Sequence, residues 1–165
     1  MDEEGREYGF TDRFRAGAEL TDGTLLFQFR GDGPVTLRKV ESFGDGTFEQ
    51  IGAVVAGPER EWVQDFFCRA FPPRANWFGE FTDAEGAVIH PIDDDEDYGY
   101  QLLIGYRITQ ATTPGVRSHV AVTYEYDGKT YRDEFRSRIV ACPGGYRLHR
   151  CERIALSTVP DFLAR

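Results

Sequence analysis

Over residues 116–141 apolar and polar positions trade places at every step. Val120, Val122, Tyr124 and Tyr126 alternate with His119, Ala121, Thr123 and Glu125, and after Asp127-Gly128 a second extended run carries Tyr131, Phe135 and Ile139. Period-two alternation marks strands with one buried face. Asp-Gly between two such runs marks a two-residue type I′ turn, because both central positions need positive φ. The turn sets a register in which Tyr126 faces Lys129, Tyr124 faces Tyr131, Val122 faces Asp133 and Val120 faces Phe135. One side of this hairpin is apolar apart from Asp133, which is expected at an edge or a bulge.

The same reading extends along the chain. Tyr100, Leu102, Ile104, Tyr106 and Ile108 alternate through residues 100–109 as a long strand, ended by the turn-rich stretch 110–115. Leu25, Phe27 and Phe29 predict another, followed by the turn Gly31-Asp32-Gly33-Pro34 and a strand with Val35, Leu37 and Val40. Residues 48–56 form the next, after Asp45-Gly46. Shorter extended pieces are expected at 9–14, 77–82 and 87–90, and a last strand at 146–156. One segment breaks the pattern: Trp62, Phe66 and Ala70, with Val63, Phe67 and Phe71, recur every four residues, which predicts a short helix within 58–71 stopped by Pro72-Pro73. Many short strands separated by Gly, Asp and Pro turns predict an all-β sandwich or barrel. No repeat divides the chain, so residues 1–165 are read as one domain, with 1–7 as its loosely ordered start.

Composition narrows the functional classes. The 165 residues carry a net charge of −9, which disfavours a phosphate backbone as partner and predicts no nucleic-acid binding. No run of about 18 apolar residues is present, so no membrane insertion by a helix is expected. The acidic start, Met1-Asp2-Glu3-Glu4, lacks the features of a secretory signal and predicts a cytoplasmic protein if the chain is complete, an extracytoplasmic one if an upstream anchor precedes it. Cys68, Cys142 and Cys151 are expected as reduced thiols. A Cys142–Cys151 bridge is the alternative, but a tight turn at Pro143-Gly144-Gly145 is expected to bring Cys142 to Tyr146 instead.

Two stretches carry a resemblance. Phe27-Gln28-Phe29-Arg30-Gly31-Asp32-Gly33-Pro34-Val35-Thr36-Leu37 resembles the strand, turn and Pro-Val-Thr strand that open many bacterial immunoglobulin-like domains. Residues 99–142 resemble the C-terminal half of uncharacterised actinobacterial proteins with an extracytoplasmic domain of that kind. The resemblance implies an immunoglobulin-like antiparallel β-sandwich with one short helix or helical turn, and no catalytic residues to carry over.

Candidate chemistry is sparse. The run Asp93-Asp94-Asp95-Glu96-Asp97 offers carboxylates for Ca²⁺, but Tyr98 stands where an EF-hand loop needs glycine and Ile104 where it needs glutamate, so it reads as a solvated loop. Cys142, His149 and Cys151 make a poor zinc set without paired Cys-x-x-Cys ligands. Ser118 and His119 are adjacent on a strand and are expected to point to opposite faces, which rules out a nucleophile–base pair. No catalytic residue, cofactor or metal is therefore expected. The aromatics Trp62, Phe66, Phe67, Phe71, Trp77 and Phe78 are the candidate partner-contact residues. The expected function is a non-catalytic protein-interaction or accessory domain of a bacterial envelope or multiprotein assembly, with a protein as partner and homo-oligomers compatible. The alternative is a small hydrolase or ligand-binding protein that uses clustered carboxylates on a sandwich scaffold.

Overall fold

The structure is a computed structural model that describes residues 8–58, 66–74, 79–92 and 99–157. Among these residues eleven strands and one helix follow in order: β1 (Tyr8–Arg13), β2 (Glu19–Phe27), β3 (Val35–Gly44), β4 (Phe48–Ala56), β5 (Phe66–Cys68), β6 (Phe81–Asp83), β7 (Val88–Ile89), β8 (Tyr100–Ile108), β9 (Gly115–Tyr126), β10 (Lys129–Phe135), β11 (Ser137–Cys142) and α1 (Leu148–Ser157). They form two sheets. Sheet A runs β1-β11-β9-β3-β7, with β10 also pairing β9, and sheet B runs β5-β2-β8-β4-β6. All pairings are antiparallel except β1 with β11.

The alternation in the sequence accounts for the core. Tyr100, Leu102, Ile104, Tyr106 and Ile108 of β8 point inward from sheet B and join Leu20, Leu25, Phe48 and Val55. Val35, Leu37, Val40, Val120, Val122, Ile139 and Ala141 meet them from sheet A. The β9–β10 hairpin holds the expected register from Tyr126–Lys129 to Val120–Phe135, and Asp127 and Gly128 take φ of 48° and 68°, as a type I′ turn demands. Asp133 lies on a sheet edge and accepts a hydrogen bond from the Tyr124 hydroxyl at 3.2 Å.

Two elements differ from the expectation. Where the four-residue spacing predicts the end of a helix, residues 66–68 form β5, because the edge of β2 pairs with them: Gly23 opposite Phe66, Asp22 opposite Phe67 and Thr21 opposite Cys68. Filling an open sheet edge outweighs a local helical period. Residues 59–65 of that expected helix lie outside the described residues. Conversely, the strand expected at 146–156 is α1. Leu148, Cys151 and Ile154 recur at three-residue spacing, and the last two pack on Val140 and Cys142 of β11 and on Val116.

The helix also corrects the cysteine reading. Cys142 and Cys151 form a disulfide with Cα atoms 5.9 Å apart, and Cys68 is the free thiol. The turn 143–146 does bring Tyr146 N–H onto the Pro143 carbonyl at 3.0 Å. One turn of α1 then carries the chain back over β11, which the argument from the turn alone leaves out.

The outer face of sheet B is covered in its middle. Gly52 and Gly105 face each other across β4 and β8, and the Phe71 ring lies over both. A Cβ on Gly105 would stand 2.2 Å from that ring. Phe71, Phe81, Leu103, Val54 and Ala56 make a small second core there. Among the described residues no helix is long and apolar enough to cross a membrane.

Candidate functional site

Chemistry-bearing side chains gather in two places, one inside the sandwich and one on it. The interior group exists because four strands carry bulges. On β2, Asp22 lies opposite Ile104 but Leu25 lies opposite Leu102, so the chain takes an extra residue at Gly23-Thr24. On β9, Phe43 faces His119 and the next residue, Gly44, faces Arg117, so Ser118 is extra. A one-residue bulge inverts every side chain beyond it. Arg117 therefore turns inward although it sits out of phase with Val120 and Val122. The bulges between Leu37 and Lys39 and between Gln50 and Gly52 act the same way on β3 and β4.

Inside, Asp22 and Arg117 form an ion pair with side chains 0% and 1% exposed. Four residues close a ring of hydrogen bonds. Arg117 Nη2 donates to Asp22 Oδ2 and to Ser137 Oγ, the latter at 3.2 Å. Thr24 Oγ1 donates to Asp22 Oδ1 at 2.7 Å, which leaves it to accept from Ser137 Oγ at 3.2 Å. The Thr24 N–H adds a third bond to the Asp22 carboxylate at 2.9 Å. The guanidinium lies 5.8 Å from the centre of the Tyr106 ring, a cation–π distance. The Tyr106 hydroxyl meets Ser42 Oγ at 2.6 Å, joining sheet B to sheet A. Gln50 makes a further link, Nε2 donating to the Val40 carbonyl at 2.9 Å. Among the described residues Arg117 Nε and Nη1 and Gln50 Oε1 have no partner. Burial, only partly offset by the nearby Arg117 charge, pushes the Tyr106 phenol up to about 12. At neutral pH Tyr106 is therefore a neutral donor and no base. Asp22 faces a cation rather than a second acid, so this centre lacks the paired carboxylates of a glycosidase.

The outer group lies on the half of sheet A that α1 leaves open. α1 packs against β1 and β11, while the outward residues of β3, β9 and β10 remain partly or fully exposed, apart from Ala121. Phe43 and His119 stack with ring centres 4.6 Å apart and planes 4° apart, and Arg132 lies over Phe43 at 5.6 Å. Around them run the ion pairs Arg38–Glu125 at 2.6 Å, Lys39–Glu41 at 2.7 Å and Arg132–Glu134 at 2.8 Å. The hydrogen bond from Lys39 holds the Glu41 carboxyl below the usual carboxylate range, against a smaller opposing effect of burial.

The bulge corrects the reading of Ser118 and His119. Their side chains do meet, Ser118 Oγ lying 2.9 Å from His119 Nδ1. Ser118 Oγ also donates to the Phe43 carbonyl at 3.0 Å, so its proton is engaged there and the imidazole donates to the serine oxygen. A nucleophile needs the opposite polarity. The Cys142–His149–Cys151 set has both sulfurs in the disulfide, which removes its thiolates as metal ligands.

The candidate partner-contact aromatics are placed as follows. Phe67 is half-buried against the main core, its ring 5.9 Å from that of Phe14, and Phe71 seats on Gly52 and Gly105. Phe66 lies in β5. Trp62, Trp77 and Phe78 lie outside the described residues, as does the acidic run 93–97. Sequence reasoning misses Asp22, Arg117, Ser137, Thr24, Gln50 and Ser42. The available signal is Asp22-Gly23-Thr24 interrupting the apolar run from Leu20 to Phe27.

Comparison with protein-family models, curated proteins and solved structures finds no match to this chain.

Proposed function

We propose that this chain is a non-catalytic interaction domain on an immunoglobulin-like β-sandwich, which presents the open half of sheet A to a protein partner. Strand order supports the immunoglobulin-like reading. With β2, β3, β4, β8 and β9 taken as B, C, D, E and F, and β10–β11 as G, sheet B contains B-E-D and sheet A contains C-F-G, the two halves of that fold. The short strands β5, β6 and β7 are additions to it.

The observation that carries the functional reading is the division of chemistry between inside and outside. The buried charges of Asp22 and Arg117 are committed to each other, whereas Phe43, His119 and Arg132 form a planar, partly exposed stack ringed by charge. Aromatic and arginine side chains of this kind supply most of the energy at protein contacts. The segment holding Trp62 and Trp77 is a second contact surface in this reading.

The test is affinity capture with the immobilised whole chain from cells of its source. Loss of a partner on Phe43→Ala/His119→Ala, with the far-UV spectrum unchanged, is the expected result. Equal recovery by the unaltered chain, by that variant and by Trp62→Ala/Trp77→Ala removes both surfaces.

A further inference from the structure

Strand β10 is an edge. It pairs β9 on one side, and among the described residues no strand pairs its other side, because β1 joins the sheet along β11 instead. Seven residues, Lys129-Thr130-Tyr131-Arg132-Asp133-Glu134-Phe135, carry it. Their backbone polarity follows from the turn. In a two-residue hairpin Tyr126 and Lys129 exchange hydrogen bonds, so Lys129, Tyr131, Asp133 and Phe135 bond toward β9. Thr130, Arg132 and Glu134 then aim their N–H and C=O groups at the open side. Tyr131, 41% exposed, is one of the few large exposed apolar side chains among the described residues.

We propose that the occupant of this edge is a second copy of the chain, added antiparallel about a twofold axis through Tyr131. A twofold axis normal to the sheet makes one residue of β10 face itself, and charge selects which. Centred on Arg132, two guanidinium groups meet, and centred on Asp133, two carboxylates meet. Like charges directly opposite disfavour a strand pair. Centred on Tyr131, Lys129 faces Asp133 of the other copy twice, Thr130 faces Arg132 twice, and the Tyr131 rings face each other beside the existing Tyr124–Tyr131 stack, whose centres are 5.6 Å apart. This register also satisfies the backbone. Thr130 and Arg132, whose groups point outward, become the hydrogen-bonded pairs, and Tyr131 becomes a close non-hydrogen-bonded pair. The product is a continuous sheet across two chains. It shares Arg132 with the partner contact proposed above but leaves the outer face around Phe43 and His119 uncovered, so the two are tested separately. A single strand pair covers less than a standard interface, so half-association is expected at roughly 10–100 µM chain.

Sedimentation equilibrium of the full chain over that range reads the mass directly. A weight-average mass that rises with concentration from one chain toward two is expected, with Thr130→Pro weakening association at least about tenfold. Proline there removes an outward N–H and leaves the β9 bonds intact, which an unchanged far-UV spectrum and melting temperature check. Lys129→Asp is expected to weaken association similarly, and Lys129→Asp/Asp133→Lys to restore it. A single-chain mass throughout, or a dimer indifferent to Thr130→Pro, overturns the proposal while leaving the Phe43 surface untouched. Should Thr130→Pro unfold the hairpin, oxidative cross-linking decides in a Cys68→Ser background. Tyr131→Cys is expected to cross-link chains rapidly. Glu134→Cys is not, because its two copies stand about 20 Å apart, six residue steps along the paired strands. Equal rates at the two positions overturn the register.

Discussion

Asp22→Asn is the most informative single change. It preserves the shape of the side chain but leaves the Arg117 guanidinium, 1% exposed, without its counter-charge. It also exchanges a carboxylate that accepts from Arg117, Thr24 N–H and Thr24 Oγ1 for a neutral amide. Breaking a buried pair from one side costs about 3–5 kcal/mol, because the surviving charge has lost solvent and gained nothing. That is a large share of the roughly 5–15 kcal/mol by which a domain is stable. With a urea slope of about 2 kcal/mol/M, the unfolding midpoint falls by about 2 M. Removing both charges has a different cost. Asp22→Leu/Arg117→Met fills the volume with apolar atoms, and such replacements are neutral or stabilising by about 1–4 kcal/mol. Urea unfolding of the parent, Asp22→Leu, Arg117→Met and the double variant closes the double-mutant cycle, with Asp22→Asn measured beside them, all followed by tryptophan fluorescence and circular dichroism. An Asp22→Asn midpoint equal to that of the parent, or a double variant less stable than either single one, would refute the reasoning. The first result would mean that water reaches the pair.

Three other expectations follow from the same geometry. Raised by burial, the Tyr106 phenol titrates at about 12 in the folded protein and at 10.0 when free. The folded state holds its proton more tightly, so the stability is intact below pH 10 and falls between pH 10 and 12, by up to about 1.4 kcal/mol per unit. Tyr106→Phe is expected to remove this alkaline slope at a cost of about 1 kcal/mol for the Ser42 bond, read by urea unfolding at pH 9 to 12. Gly105→Ala drives a methyl into the Phe71 ring and is expected to destabilise by about 1–3 kcal/mol, an effect that vanishes in a Phe71→Ala background. Finally, Cys142→Ser/Cys151→Ser opens a loop of sequence separation 9 and is expected to cost about 2–3 kcal/mol, read as a lowered melting temperature. The unreduced, denatured parent should show one thiol to a colorimetric reagent, that of Cys68.

What the sequence discloses of this fold is what alternation and turn chemistry encode. The β9–β10 register, the length of β4 and the inward face of β8 are all readable, since each is written in consecutive residues. The elements that escape it depend on partners remote in sequence. β5 is a strand because β2 offers an edge, and α1 is a helix because β11 offers Val140 and Cys142. The interior charge centre escapes for a different reason. Arg117 and Asp22 lie 95 positions apart and belong to different sheets, and a bulge on each strand sets their phase. Alternation counted from Val120 sends Arg117 outward, and nothing local in Ser118-His119 announces the extra step.

That extra step makes β9 two ribbons spliced out of phase. Upstream of Ser118, Val116 serves the layer beneath α1 while Gly115 and Arg117 look inward; downstream, Val120 and Val122 look inward and His119 meets solvent. The strand is thus tuned by its count of residues as much as by their kind. Taking Ser118 into the ladder as an ordinary step would swap the wet and dry sides of everything before it, exchanging Arg117 for Val116, without altering a single hydrophobicity. Frame, in the typographer's sense, is the quantity this strand must conserve.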